Sequence, residues 1–232
     1  MFIDIFNKIG NSFYYSVIYE QRYEYILKGL ANTLLISFFA VIIGIILGIL
    51  LGLIRNYNEK TGKQKFLSTI AKGYINIIRG TPVMLQLMII YYVIFKTVDI
   101  NIVLVGIIAF GLNSGAYVAE IIRGGLNSVP EGQIDAGYSL GLNYFQTFRY
   151  IVFPQSMKSV LPALGNEFVS LIKETSVGAY IGIIELTKAS DIIASRTYEY
   201  FFPLIIIAII YLILTIGLSK LINKLEKRAS ND

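Results

Sequence analysis

The sequence predicts an all-α membrane protein with five transmembrane helices, and three observations predict it. Of its 232 residues 55% are hydrophobic and 15% charged, with a mean hydropathy of +0.65, whereas a soluble domain is about 45–50% apolar and about 25% charged. Apolar runs at or near the length of a membrane span recur along the chain. Between the third and fourth of them lies a polar insert with its own helical punctuation.

What the chain lacks narrows its chemistry. There is no cysteine and no histidine, which removes a disulfide framework, thiolate or imidazole metal sites, and Ser-His or Cys-His catalytic pairs. A net charge of +5 in so apolar a chain points to a membrane face before nucleic acid, and no nucleic-acid partner is expected.

Three regions follow: an N-terminal interfacial segment over residues 1–28, a transmembrane domain over 29–224, and a tail over 225–232. The first contains Asp4, Glu20 and Glu24 without an uninterrupted apolar run, so it does not read as a cleaved signal. Its rings (Phe13, Tyr14, Tyr15, Tyr19, Tyr23, Tyr25) suit a helix at headgroup level.

A bilayer core of about 30 Å needs roughly 20 helical residues. The predicted spans cover about residues 30–54, 82–95, 102–122, 161–184 and 202–222. The second is short, reaching only about 21 Å at 1.5 Å per residue, so it must recruit part of 66–79. Thr81 before Pro82 reads as an N-cap with proline at the first helical position, and a break is expected there. In the first span Ala40, Gly44, Gly48 and Gly52 recur every four residues. Such a ladder lets backbones touch in lipid, either within the subunit or at a dimer seam.

The insert, within a loop over residues 128–160, reads as a short helix, a glycine break at Gly141 and a second short helix closed by Pro154. Tyr144, Phe145, Phe148, Ile151 and Val152 fall on one helical face. Glu131 and Asp135 sit early in the first helix, where negative charge suits the helix dipole. Ala136 and Gly137 offer a bare surface for a partner.

Basic residues give an orientation. With residues 55–79 in the cytoplasm, that side holds Arg55, Lys60, Lys63, Lys65, Lys72, Arg79, Arg123, Arg149, Lys158, Lys220, Lys224, Lys227 and Arg228. The other side holds only Lys8, Arg22, Lys28, Lys96, Lys188 and Arg196. The N-terminus is then outside, and the insert and C-terminus cytoplasmic.

The fourth span carries charge where charge is costly. Asn166, Glu167, Ser170, Lys173 and Glu174 share an arc of about 120°, with Leu164, Phe168, Val169, Leu171 and Ile172 around the rest. Lys173 could pair with a neighbouring glutamate to hold the bundle. Alternatively, the stripe could hold a zwitterion: a carboxylate for an α-ammonium, Lys173 for an α-carboxylate, and the second carboxylate for a polar or cationic side chain.

The insert resembles the cytoplasmic "EAA" loop of ATP-binding cassette importer permeases. Ala136, Gly141, Ile151 and Pro154 keep its register, while Asp135, Gly137 and Phe153 replace its glutamate, second alanine and leucine. Arg79-Gly80-Thr81-Pro82 followed by Gln86, the run from Ala116 to Gly125, Pro154-Gln155, and Asn166-Glu167-Phe168 leading to Lys173-Glu174-Thr175-Ser176 are similar to the polar amino-acid branch of these permeases.

The resemblance implies the type I importer permease fold, in a bacterial cell membrane, with the insert as a coupling-helix loop. It implies a second permease subunit, identical or homologous, a dimer of cytoplasmic ATPase subunits and an external solute-binding protein. No cofactor is expected of the chain itself, since ATP belongs to the partner and no Gly-x-x-x-x-Gly-Lys-Ser/Thr sequence is present. Glu167, Lys173, Glu174, Ser170 and Asn166, with Gln86 opposite, would line the substrate site. Asp135, Ala136, Gly137, Gly141 and Pro154 would couple to the ATPase. Glu120 is a weaker candidate, because its place also suits a structural ion pair. Two carboxylates against one lysine lean toward a cationic amino acid such as arginine or histidine. The rival is an ion-coupled secondary transporter in which Glu120, Glu167 or Glu174 carries protons. Against it stands the odd number of spans, with no inverted repeat within one chain.

Overall fold

The computed structural model describes residues 9–231, and the side chains of these except 225 and 227–231. Asp4 and Lys8, and the side chains of Lys227 and Arg228, lie outside that description. The described chain is helical, without strands: α1 (Tyr23–Thr61), α2 (Lys65–Arg79), α3 (Val83–Ile89), α4 (Ile102–Asn127), α5 (Glu131–Ser139), α6 (Tyr144–Thr147), α7 (Phe153–Glu174), α8 (Leu186–Thr197) and α9 (Phe201–Asn231).

Three of these, Tyr23–Thr61, Ile102–Asn127 and Phe201–Lys224, are long and apolar enough to cross a bilayer. The pair Lys65–Arg79 and Val83–Ile94 makes a fourth when read as one broken span. The break falls where the sequence put it. α2 stops at Arg79, and Thr81 Oγ1 donates 2.8 Å to the Ile77 carbonyl, helping to close that helix. The next helix begins at Val83, one residue later than an N-cap at Thr81 would give. The fourth predicted span is less regular than expected: α7 ends at Glu174 and continues as a 3-10 turn over Thr175–Ile181.

The chain folds into two compact units, each described by itself. One consists of residues 40–82, 111–170 and 218–231. Its framework is the packing of α1 on α4, and this is where the first-span ladder goes. A Cβ on Gly44 would lie 2.8 Å from Ser114 Oγ, on Gly48 2.4 Å from Val118 Cγ1, and on Gly52 2.9 Å from Ile122 Cβ. α4 answers with its own glycines, Gly111 against Ile43 and Gly115 against Leu47. The two helices interlock glycine to side chain in both directions, so the ladder is a contact within the subunit and not a dimer seam. Ile75 of α2 joins Ala116 and Ala119, while Val118, Ile122, Leu126, Val129, Val152 and Val160 form the larger core.

The other unit consists of residues 9–39, 83–110 and 171–217. Val17, Ile26, Leu186, Ile193 and Ile207 form its core. α1 clasps the chain entering α8: Asn32 Nδ2 donates 2.8 Å to Ile184 O, and Leu186 N donates 3.3 Å to Thr33 Oγ1. Gly29 leaves room for the Glu185 carbonyl, 2.8 Å from where a Cβ would stand. The N-terminal aromatic segment is not the single helix expected of it. A π turn (Tyr14–Ile18) and a 3-10 turn (Tyr19–Gln21) precede α1, with Glu20 and Gln21 at positive φ. Arg22, buried, lies 4.7 Å over the Tyr15 ring and donates 3.0 Å to Glu20 Oε2, a cation held by aromatic faces.

Candidate functional site

The insert is built by local chemistry. α5 ends at Ser139 with Leu140 as its C-cap, and Gly141 follows with a φ of +82°, in the left-handed region. Leu142 N donates 3.1 Å to Gly137 O and Gly141 N donates 2.9 Å to Tyr138 O, the two bonds of a Schellman stop that requires a residue able to take positive φ. Asn143 then starts α6 with a capping box: Asn143 Oδ1 accepts from Gln146 N and Gln146 Oε1 accepts from Asn143 N, both at 2.9 Å.

Pro154 does not close this second helix. The chain passes from α6 through a π turn (Phe148–Val152) directly into α7, where Pro154 is the second residue. A proline cannot donate to the carbonyl four residues back and its ring crowds it, and a π turn just ahead of it shifts the bonding pattern at that point. The predicted apolar face is kept only in part, within the π turn and not ahead of it. Val152 is buried and Phe148 and Ile151 are half-buried, but Phe145 is 71% exposed.

The bare surface divides. Ala136 is exposed, but Gly137 is buried against Thr147 and Ile151, with Ile151 Cδ1 2.8 Å from a would-be Cβ. Gly137 thus lets the two short helices of the insert close on each other. What the insert shows outward is an apolar rim: Leu140 80%, Phe145 71% and Tyr150 67% exposed. On the inner side is a cavity of about 310 Å³ lined by Asn56, Lys60, Asp135, Tyr138 and Tyr144 among others. Burial, with Tyr138 and Tyr57 close by, pushes the Tyr144 phenol above its usual value.

Polar pairs fasten the insert and its approach to the end of α1. Lys60 Nζ donates 3.1 Å to Glu131 Oε1, Asn56 Nδ2 donates 2.9 Å to Asn127 Oδ1, and Asn127 Nδ2 donates 3.2 Å to Glu59 Oε2. Tyr57 meets Tyr144 edge-on at 5.7 Å. Beside them, Glu120 accepts from Arg123 at 2.8 Å and from Arg55, with Arg79 at 3.9 Å, while Arg55 and Arg123 also reach Glu59. Glu120 is therefore at the centre of an ion-pair network. The network was readable in part, since Arg55 and Glu59 are four residues apart and Glu120 and Arg123 three apart; that the two pairs meet was not.

The polar stripe lies on α7 as predicted. Asn166 and Lys173 are exposed, Glu167, Ser170 and Glu174 half-buried, and Leu171 and Ile172 fully buried. Ser114 Oγ donates 2.8 Å to Glu167 Oε1. Lys173 and Glu174 are adjacent at the C-terminal end of α7, with Glu167 two turns back on the same face. Gln86 is buried on α3.

Sequence reasoning missed Glu185. Fully buried, it caps α8: its carboxylate accepts from Thr187 N at 2.7 Å, Lys188 N at 2.6 Å and the Tyr211 hydroxyl at 3.1 Å. The available signal was an acidic residue directly before an amphipathic stretch, a place for an N-cap.

Residues 44–231 match the family described as binding-protein-dependent transport system inner membrane component. The chain is 38% identical over 218 residues, covering 93% of it and 98% of the relative, to a putative glutamine transport system permease protein of Rickettsia bellii. It is 38% identical over 192 residues (82% of this chain, 83% of the relative) to a probable amino-acid ABC transporter permease protein of Bacillus subtilis. Its fold superposes on the crystal structure of an amino acid ABC transporter with histidines, with TM-score 0.81 and 41% identity over 88% of this chain and 94% of the other. The inward-facing MetNI methionine transporter shares the fold at TM-score 0.77 and 18% identity, over 90% and 98% of the two chains. The chain belongs to the binding-protein-dependent transport system inner membrane component family: it is a permease subunit of an ATP-binding cassette importer, and not itself the ATPase.

Proposed function

We propose that this chain, paired with a second permease subunit, carries a polar amino acid into the cell, with the N-terminus outside and the insert docked on a cytoplasmic ATPase dimer. ATP-driven closure of the ATPases pushes the insert, and the spans rock between outward-open and inward-open forms around the α7 stripe. A solute-binding protein delivers the amino acid from outside.

The observation that carries this reading is the stripe itself: both signs of charge on one face of a helix otherwise clad in apolar residues. Few solutes other than zwitterions need both signs. Relatives of this chain are named for glutamine, in Escherichia coli as well as Rickettsia, and for nopaline in Agrobacterium fabrum. In this reading Lys173 meets the α-carboxylate as a point charge, and the two glutamates of the stripe favour a cationic side chain, with a neutral polar one also accepted. The exposed Leu140, Phe145 and Tyr150 on an otherwise polar insert support docking, as apolar groups presented to a partner.

The test is Lys173→Met in the assembled transporter reconstituted with its ATPase and binding protein. Amino-acid uptake is expected to be lost while the complex still assembles and hydrolyses ATP at its basal rate. Normal uptake would remove Lys173 from the site. Uptake by the unaltered transporter that persists without ATP and collapses with the proton gradient would overturn the importer reading in favour of ion coupling.

A further inference from the structure

Helix α2 has three faces. Taking 100° per residue, Ser68, Ala71 and Ile75 share an arc of about 60° and are buried against the protein. Ile75 meets Ala116 and Ala119, and the Tyr74 hydroxyl donates to Leu112 O. A second arc of about 40°, well away from the first, holds Phe66 (77% exposed), Ile70 (56%) and Ile77 (66%). A third, of about 60°, holds Lys65, Thr69, Lys72 and Asn76, all exposed.

A helix standing upright in a bilayer could not keep this arrangement. Lys65 and Lys72 are about 10 Å apart along the axis, and Arg79 another turn and more beyond. One end of so long a polar stripe would be drawn into hydrocarbon, where cations are expensive. A helix lying in the membrane surface satisfies all three faces at once, one on the protein, one in the acyl chains and one in the headgroups. The lysines are also available. Among the described residues none of Lys63, Lys65 and Lys72 has an ion-pair partner, while the neighbouring Arg55, Arg79 and Arg123 are all engaged with carboxylates.

We propose that α2 lies in the headgroup layer and that Lys65 and Lys72, with Lys63 just before the helix, bind the phosphates of anionic phospholipids, while Phe66, Ile70 and Ile77 enter the acyl chains. Unpartnered cations beside an exposed apolar stripe complement an anionic lipid surface in both charge and polarity.

The test measures lipid retained by the assembled transporter, by native mass spectrometry from nanodiscs of mixed phosphatidylglycerol and phosphatidylcholine. A surface lysine is worth about five-fold in binding to an anionic leaflet. Lys65→Gln with Lys72→Gln should therefore lower the preference for phosphatidylglycerol about 25-fold, and Lys65→Arg with Lys72→Arg should keep it. A spin label at Thr69→Cys should meet water-soluble relaxants, and one at Ile77→Cys should meet oxygen from the acyl region. Unchanged phosphatidylglycerol preference in the glutamine variant overturns the proposal. So does a label at Thr69 shielded from water, which would mean that another subunit covers this face.

Discussion

Replacing Gly48 by alanine is the most direct test of the interlock between α1 and α4. The added methyl would stand 2.4 Å from Val118 Cγ1, 2.5 Å from Val118 Cβ and 2.9 Å from Ala119 N. Val118 and Ala119 are fully buried and have little room to move, and overpacking of this kind costs about 1–3 kcal/mol. Alanine's better helix propensity returns about 0.5–1 kcal/mol, so the net expected loss is about 0–2.5 kcal/mol. Gly73 is the internal control. It is also helical, but nothing lies within 4 Å of its would-be Cβ, so Gly73→Ala should be neutral or slightly stabilising. Val118→Ala empties buried space and costs stability on its own, but its loss and that of Gly48→Ala should be less than additive, with a coupling of about 1 kcal/mol. The assay is the thermal midpoint of the detergent-solubilised transporter. A Gly48→Ala midpoint equal to that of Gly73→Ala, or strictly additive effects of the Gly48 and Val118 changes, would refute the interlock.

Two further outcomes follow from the geometry. Gly141→Val meets nothing within 4 Å of its Cβ, but it forces a β-branched residue to φ +82° at a cost of about 1–3 kcal/mol; it should uncouple ATP hydrolysis from transport while the subunit still assembles, and unchanged coupling would count against the insert as a lever. Glu185→Ala leaves the N–H groups of Thr187 and Lys188 and the Tyr211 hydroxyl without their acceptor in a buried place, and a loss of about 3–4 kcal/mol is expected from orphaned donors and a lost cap. Glu185→Gln, which keeps one accepting oxygen, should lose less, and a Glu185→Ala midpoint matching the unaltered protein would exclude a structural role.

What the sequence made legible was whatever depends on neighbours along the chain. The break at Gly80 to Pro82, the stop at Gly141 and the stripe on α7 each follow from a few adjacent residues, and each is where it was expected. The misreadings share a cause as well. Pro154 looked like a terminus because proline ends helices locally, whereas here a π turn over Phe148–Val152 precedes it and the helix runs on. Gly137 looked like a surface for a partner because its surroundings, Thr147 and Ile151, arrive from the next helix. The ladder in α1 allowed two partners until Gly111 and Gly115 appeared on α4 as its counterpart, a reciprocal pattern visible only once the helices are known to be adjacent.

The same distinction bears on how the insert could transmit force. Its attachments to α1, through Lys60 with Glu131 and Tyr57 with Tyr144, are made at the start of each of its two short helices, beside the Asn56–Asn127 bond at the end of α4. Its internal angle is set by Gly141 and by the close approach at Gly137. A push on the exposed rim at Leu140 and Phe145, which flank Gly141, therefore reaches α1 only as far as that angle is held. Exposed ion pairs such as Lys60 with Glu131 are worth little individually, so stiffness has to come from the Schellman stop, the capping box and the contact of Gly137 with Ile151. On the proposed docking, the stretch from Gly137 to Gln146 matters more to coupling than the salt bridges that surround it.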